Sequence, residues 1–246
     1  MINRLRSLHI GASEAEHLAE VFQQVVDSYG TNLVSLIVYG SSVAGGYEEG
    51  VSDINLAIIL RRVTVDDILK AAPAIRSSPL RLSPRFFDLE GVEALPEAYP
   101  LELRDMQVAH LLVYGQQVLP DLHVDQADIR RECRRALRGI ATRMRHHLVM
   151  AGDDKKRMVA IIEDTLRGTM SVLRHLLRLE GKQIPAEKDD LISNAARDYK
   201  FDPEPFLRAL DCRDDGFPDA EIPALFRAYF EAVQSLAARA GELTGG

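Results

Sequence analysis

Cysteine is scarce in this chain of 246 residues, which contains only Cys133 and Cys212. Two cysteines so far apart in the sequence are too few for a disulfide framework or a cysteine-based metal site, so we expect a reducing, cytoplasmic environment. Long apolar runs are also missing: no 18 consecutive residues are apolar, and residues 1–6 lack the apolar block of a signal peptide. The sequence therefore predicts no membrane partner.

Positive charge is in short supply, particularly in the first half of the chain. The formal net charge is −7, and residues 1–120 account for −6 of it, with 9 Lys or Arg against 15 Asp or Glu. A protein that binds long nucleic acids needs a basic surface, so we expect no long nucleic-acid partner. An acidic half suits instead a small substrate whose phosphates are neutralised by Mg²⁺.

The first half of the chain has the pattern of an α/β domain. A capping box at Ser13–Glu16 begins an amphipathic helix that we expect to end at Gly30. Thr64, with Asp67 three residues later, predicts the start of a short helix that Pro73 should stop or kink. Apolar runs predict strands at about 33–39, 54–60, 99–103 and 110–115, with a short strand, a turn and one weak helix between 77 and 100.

From about residue 126 onward the pattern is helical. Apolar residues from Ile129 to Leu148 recur at intervals of three and four, which predicts a helix with one buried stripe. A second helix, at about 154–180, is apolar around more of its circumference and should lie in the middle of a bundle. Further helices are expected at about 187–199, 203–211 and 219–240. We therefore divide the chain into domains 1–122 and 123–246.

A glycine–serine turn and a polar pair stand at the ends of the two most apolar strands. Gly40-Ser41-Ser42 follows the first strand, and Ser52-Asp53-Ile54-Asn55 leads into the second. Because side chains alternate along a strand, Asp53 and Asn55 share one face. This arrangement resembles the DNA polymerase β-like nucleotidyltransferases, in particular the minimal or kanamycin-type nucleotidyltransferase domain with a C-terminal helical domain.

The resemblance implies an α+β fold, with a mixed sheet and flanking helices, followed by an all-α helical bundle. It also implies transfer of a nucleoside monophosphate from a nucleoside triphosphate to a hydroxyl acceptor, either a small molecule or a protein side chain. In such a site Gly40, Ser41 and Ser42 would bind the nucleotide, and carboxylates would hold Mg²⁺. Asp53 would be a catalytic metal ligand. Glu102, in the predicted strand 99–103, is our candidate for the third carboxylate, although an exposed charge on an edge strand explains it equally well.

Asn55 departs from the family pattern, which has a second aspartate at this position. An amide oxygen can bind a metal but carries no charge, so a ligand set of Asp53, Asn55 and Glu102 would hold Mg²⁺ weakly. We therefore favour weakened or lost catalysis. Three functions stay open: an active, metal-dependent nucleotidyltransferase, a catalytically inactive nucleotide-binding regulator, and an interaction scaffold in which the helical bundle matters most.

The exposed face of the predicted helix at 127–150 is rich in arginine. This face could bind phosphates or an acidic substrate. Alternatively, it is solvated and pairs with acidic residues of neighbouring helices, which is the interpretation we favour. The arginines are Arg130, Arg131, Arg134, Arg135, Arg138, Arg143 and Arg145.

Overall fold

The structure, a computed structural model, describes residues 1–47, 52–212 and 217–243, which fall into two compact units, Met1–Asp125 and Gln126–Gly246. The first unit combines a four-stranded sheet with helices. In chain order it contains α1 (Ile2–Leu5), α2 (Ala12–Tyr29), a 3₁₀ turn (Gly30–Asn32), β1 (Leu33–Tyr39), α3 (Ser41–Ala44), β2 (Ile54–Leu60), α4 (Val65–Ser77), β3 (Leu82–Phe87), α5 (Leu89–Glu93), α6 (Leu95–Ala98), α7 (Pro100–Val108) and β4 (His110–Gly115).

The sheet has the strand order β3-β2-β1-β4 and mixes both strand directions. The central strand β1 is antiparallel to β2 and to β4, whereas β3 runs parallel to β2. The predicted strands at 33–39, 54–60 and 110–115 are therefore confirmed. Every residue of β1 is buried, as expected for a central strand covered on both faces.

The two faces of the sheet pack against different helices. One core contains Leu36 and Leu56 from the strands together with Phe22 of α2. The other core contains Tyr39 and Ala57 and is closed by residues of α6 and α7, among them Leu103. Since side chains alternate along β2, Asn55 lies on the same face of the sheet as Ala57 and therefore faces the α7 side.

The predicted strand at 99–103 is wrong, because the structure has the helix α7 (Pro100–Val108) there. Proline at the first helical position is already in a helical φ and has no N–H that would be left without an acceptor. Leu103 and Met106, three residues apart, are buried on one side of this helix. Five residues are too few for their hydrophobic period to separate a strand from a helix.

Two local predictions about helix ends also need correction. The helix α2 begins one residue before Ser13, and the Glu14 carboxylate accepts from the N–H of Gly11, so the capping residue is Gly11. Thr64 caps α4 as predicted, and α4 continues past Pro73 to Ser77, so of the two expected effects of Pro73, a stop or a kink, the stop is wrong. Pro73 is exposed, so the carbonyl that loses its helical donor there can be hydrated.

The second unit is a bundle built around one central helix. The helix α9 packs against α8, α10, α11 and α12, which confirms its predicted place in the middle. The thiol-bearing residues Cys133 and Cys212 are both buried here. Across the two units, no described helix has both the length and the apolarity of a membrane crossing. The helices are α8 (Gln126–Ala151), α9 (Lys155–Leu179), α10 (Lys188–Tyr199), α11 (Glu204–Asp211), α12 (Ile222–Ala238) and α13 (Ala240–Leu243).

Candidate functional site

One edge of the sheet brings together strand ends that are distant in the sequence. Tyr39, the last residue of β1, pairs with Asn55 of β2 on one side and with His110 of β4 on the other. Because β3 is parallel to β2, Ser83 pairs with Asn55 from the outer side. We call this end of the sheet, marked by Tyr39, Asn55, Ser83 and His110, the site edge.

Gly40 turns the chain from β1 into the short helix α3 at the site edge. Its φ of 88° and ψ of −146° lie in a region that residues with a Cβ atom rarely adopt. The Gly40 N–H donates to the carbonyl of Ala109 at 3.1 Å, and its carbonyl accepts from the N–H of Val43 at 3.0 Å. The N–H groups of Ser41 and Ser42 have no acceptor among the described residues. Turns with such amides are suited to anions.

The two serines of this turn differ in exposure. Ser41 is half-buried, so its hydroxyl group can reach a ligand, whereas Ser42 is only 1% exposed. The Ser42 hydroxyl has no hydrogen-bond partner in the described part of the chain, and the Ser42 carbonyl accepts from the N–H of His9 at 2.8 Å. Among the predicted nucleotide-binding residues, Gly40 and Ser41 are therefore the accessible ones.

The Asn55 side chain lies directly against the Gly40 turn. A side chain at position 40 would place its Cβ atom 2.8 Å from Nδ2 of Asn55, a distance shorter than those that Cβ atoms make to other groups in proteins. The backbone conformation therefore favours glycine at this position, and any side chain here would also have to displace the Asn55 amide. The structure thus brings the predicted site residues Gly40 and Asn55 together.

Asp53, just before β2, is held by an arginine from the segment that leads into β3. Oδ1 of Asp53 lies 2.8 Å from Nε of Arg81. The N–H of Ile54 also donates to the Arg81 carbonyl at 2.8 Å, which fixes the two segments side by side. The Asp53 side chain is 35% exposed and that of Arg81 is 62% exposed, so this ion pair is open to solvent.

Glu102 reaches the same face of the sheet from α7 rather than from a strand. Oε2 of Glu102 lies 2.6 Å from Nη1 of Arg85 on β3, and Oε1 accepts from the Tyr39 hydroxyl at 3.2 Å. Burial raises the pKa of the Glu102 carboxyl above its ordinary value, although Arg85 opposes this shift. Burial and the Glu102 charge likewise raise the pKa of Tyr39. Glu102 therefore holds α7 to the sheet.

The residues that we predicted as metal ligands do not fit a magnesium site as they are placed. Asp53 and Glu102 are each paired with an arginine, and Asn55 has no charge. Ser83, the β3 residue paired with Asn55, adds no carboxylate. No group of three His, Cys, Asp or Glu side chains in the described segments could hold a metal ion. The catalytic and metal-binding roles of Asp53, Asn55 and Glu102 stay predictions.

Sequence reasoning missed Arg81, Arg85 and Tyr39, which contact the predicted residues. Arg81 and Arg85 come to the site only because β3 pairs in parallel with β2, and no local motif in the sequence signals that pairing. The alternation in β3 was a usable signal, since Arg85 lies two residues from Ser83 and therefore on the same face.

The arginine-rich helix α8 uses several of its charges within its own unit. Arg131 lies 2.6 Å from Asp128, and Arg135 lies 2.7 Å from Glu132, each three residues away on the same helix. Arg145 donates to Gln234 of α12 at 2.7 Å. These contacts favour the interpretation of this face as a solvated, internally paired surface.

The comparison that decides the fold is with a solved enzyme. The structure of this chain is similar to that of spectinomycin adenyltransferase AAD(9) from Enterococcus faecialis, solved with ATP and spectinomycin, with a TM-score of 0.60 over 89% of this chain and 98% of that chain. This chain has the fold of a nucleotidyltransferase. The predicted α+β fold with a C-terminal helical bundle is confirmed. The two sequences are 16% identical, so the likeness extends to the fold and not to the substrates. No protein-family model matches the chain, and no curated protein matches it.

Proposed function

We propose that this protein is a nucleotidyltransferase-like protein that binds a nucleoside triphosphate at the Gly40–Ser41 turn and transfers the nucleoside monophosphate from it weakly or not at all. The observation that carries the proposal is the turn itself, where the accessible hydroxyl of Ser41 adjoins amide groups that have no acceptor among the described residues. Backbone amides in such a turn, together with a hydroxyl group, are suited to phosphate oxygens. The nucleotidyltransferase fold supports a triphosphate as their source.

The weakness of the transfer step follows from the charges around Asn55. Transfer forms a bond between the acceptor oxygen and the α-phosphorus and releases pyrophosphate, so negative charge develops on the phosphates. Asn55 supplies no carboxylate, and Asp53 is already paired with Arg81. Each 1.36 kcal/mol added to the barrier lowers the rate about tenfold. Where transfer persists, the acceptor would be a hydroxyl group of a small molecule or of a protein. The solved neighbour, a spectinomycin adenyltransferase, uses a small molecule.

The direct test of this proposal is a binding titration. Purified protein is titrated calorimetrically with ATP, GTP, CTP and UTP, each in a buffer with Mg²⁺ and in one with EDTA, and pyrophosphate release is measured in parallel. We expect binding of at least one triphosphate in at least one buffer, with little or no pyrophosphate. The absence of any binding would overturn the proposal.

A pair of serine variants then locates the binding site. A hydrogen bond to a charged phosphate contributes about 1.5–3 kcal/mol, so Ser41→Ala should weaken binding about tenfold to a hundredfold. Ser77→Ala at the end of α4 is the matched control, because its hydroxyl bonds the Ala74 carbonyl within that helix. Equal affinities for both variants and the unmodified protein would place the nucleotide elsewhere.

A further inference from the structure

Within the predicted ligand set of Asp53, Asn55 and Glu102, the charges balance without a metal ion. Arg81 faces Asp53, Arg85 faces Glu102, and Asn55 is neutral. A site with three unpaired carboxylates would carry three negative charges, and it would repel a triphosphate unless a divalent cation lay between them. The two arginine pairs and the amide remove that repulsion.

Of the two arginines that pair with the predicted ligands, Arg81 is the more exposed. Its side chain is more than half exposed, and its Nε lies 2.8 Å from one oxygen of Asp53. A guanidinium group carries five N–H donors in a planar fork that matches phosphate oxygens, so this contact leaves donors for a ligand. Asp53 lies two residues before Asn55, and Asn55 in turn lies against the Gly40 turn.

We propose that this chain binds its nucleoside triphosphate as the metal-free anion, with Arg81 supplying positive charge where active nucleotidyltransferases use a divalent cation. This inference rests on the proposed function, since it concerns the ligand of the same turn. In this arrangement Asp53 competes with the phosphates for Arg81. The amide of Asn55 keeps the turn free of a second negative charge.

Removing metal from the titration tests the inference directly. ATP is titrated into the protein in EDTA and in excess Mg²⁺, and inorganic tripolyphosphate serves as a probe that has no base. We expect dissociation constants for ATP that agree within about threefold between the two buffers, and competition by tripolyphosphate in EDTA. Binding that is lost or weakened tenfold or more in EDTA would overturn the inference and leave the proposed function intact. Binding in neither buffer would instead remove the proposed function.

Charge variants at the pair of Asp53 and Arg81 separate the two possible roles of the aspartate. In EDTA, Arg81→Ala should weaken ATP binding at least tenfold. Asp53→Asn should keep or strengthen it, because the guanidinium is released to the phosphates. Arg62→Ala is the matched control: Arg62 is an exposed arginine just beyond the other end of β2, about 20 Å away for a strand of this length. Loss of binding in Asp53→Asn with full binding in Arg81→Ala would identify Asp53 as the essential ligand and overturn the inference.

Replacing the Asn55 amide with a carboxylate of nearly the same shape tests whether ATP binding becomes dependent on Mg²⁺. Asn55→Asp adds one negative charge beside the Gly40 turn without adding volume. We expect it to lower ATP affinity in EDTA at least tenfold and to restore affinity when Mg²⁺ is added. Thermal unfolding of each variant verifies that the fold is kept. Equal affinity of Asn55→Asp and the unmodified protein in EDTA would show that charge at this position does not govern binding, which contradicts the inference.

Discussion

The arginines of the site edge and those of α8 are similarly exposed but differ in what they hold together. Arg81 and Arg85 are 62% and 50% exposed, and Arg131 and Arg135 are 58% and 73% exposed. On α8 each partner lies three residues away on the same helix. At the site edge each arginine reaches a carboxylate on another element of the fold, before β2 or on α7.

This difference shows that exposure alone does not reveal what an arginine does. The carboxylates are similarly shielded, since Glu102 is 19% exposed and Glu132 is 20% exposed. A pair within one helix turn nevertheless gains only about 0.2–0.5 kcal/mol, because it holds no second element in place. Glu102 also accepts from Tyr39 of β1, so the loss of Arg85 removes a contact between α7 and the sheet.

Alanine substitutions at one glycine of each region should give the largest contrast, because they should change the free energy of unfolding in opposite directions. Gly40→Ala forces a side chain into a positive φ and against Asn55, which should lower the free energy of unfolding by about 1–3 kcal/mol. In Gly139→Ala on α8 the new Cβ atom contacts only the flexible end of Arg143, at 3.3 Å. This substitution should therefore raise the free energy of unfolding by about 0.5–1 kcal/mol. Urea unfolding of the two variants checks both signs. A neutral Gly40→Ala would mean that the turn is not constrained in this way.

Truncating one arginine of each region should give the next largest difference in the free energy of unfolding. Arg85→Ala leaves Glu102 with Tyr39 and should lower the free energy of unfolding by about 1–2 kcal/mol, whereas Arg135→Ala on α8 should lower it by less than about 0.5 kcal/mol. Urea unfolding at pH 7 compares the two variants. A larger loss in Arg135→Ala than in Arg85→Ala would reverse the comparison.

The loss in Arg85→Ala should also depend on pH through Glu102. Burial raises the pKa of this carboxyl, and Arg85 favours its charged form. The neutral form needs no cationic partner, so stability lost by Arg85→Ala should be small in acid and grow as the pH rises through the pKa of Glu102. The same unfolding measurement in steps from pH 4 to pH 7 checks the sign. A loss that is constant over this range would exclude a role for the Glu102 charge.

The strands that build the site edge could be predicted because burial and local pattern agree there. The runs at 33–39 and 54–60 are apolar except for Ser35 and Asn55, and a glycine–serine turn ends the first while a polar pair begins the second, so their bounds match β1 and β2. The fold class followed from the family resemblance that the motifs at the ends of these segments carry. In contrast, the five alternating residues at 99–103 contain too little periodicity to decide, and the proline that starts α7 was read as part of a strand.

The partners of the site residues could not be predicted, because they depend on register between strands. Asp53 meets Arg81 only through the parallel pairing of β2 with β3, and Glu102 meets Arg85 only when α7 packs on that face. Sequence alone therefore identified Asp53 as a candidate ligand and Asn55 as a departure from the family pattern, but not the positive charge beside Asp53. The i,i+3 ion pairs of α8 could be predicted from the sequence, because they depend on the helix alone and not on tertiary structure.

The smallest effect is expected when the arginines of α8 are tested for nucleotide binding. If the triphosphate binds at the Gly40 turn, Arg131→Ala and Arg135→Ala should each change ATP affinity less than about twofold, because a screened surface charge contributes little. Arg81→Ala provides the contrast within the same titration, and raising the salt concentration should leave the ranking unchanged. Lost affinity in the α8 variants, with full affinity in Arg81→Ala and Ser41→Ala, would show that the anion is held by the helical unit. The site edge would then be a scaffold, and the arginines of α8, rather than Arg81, would bind the ligand.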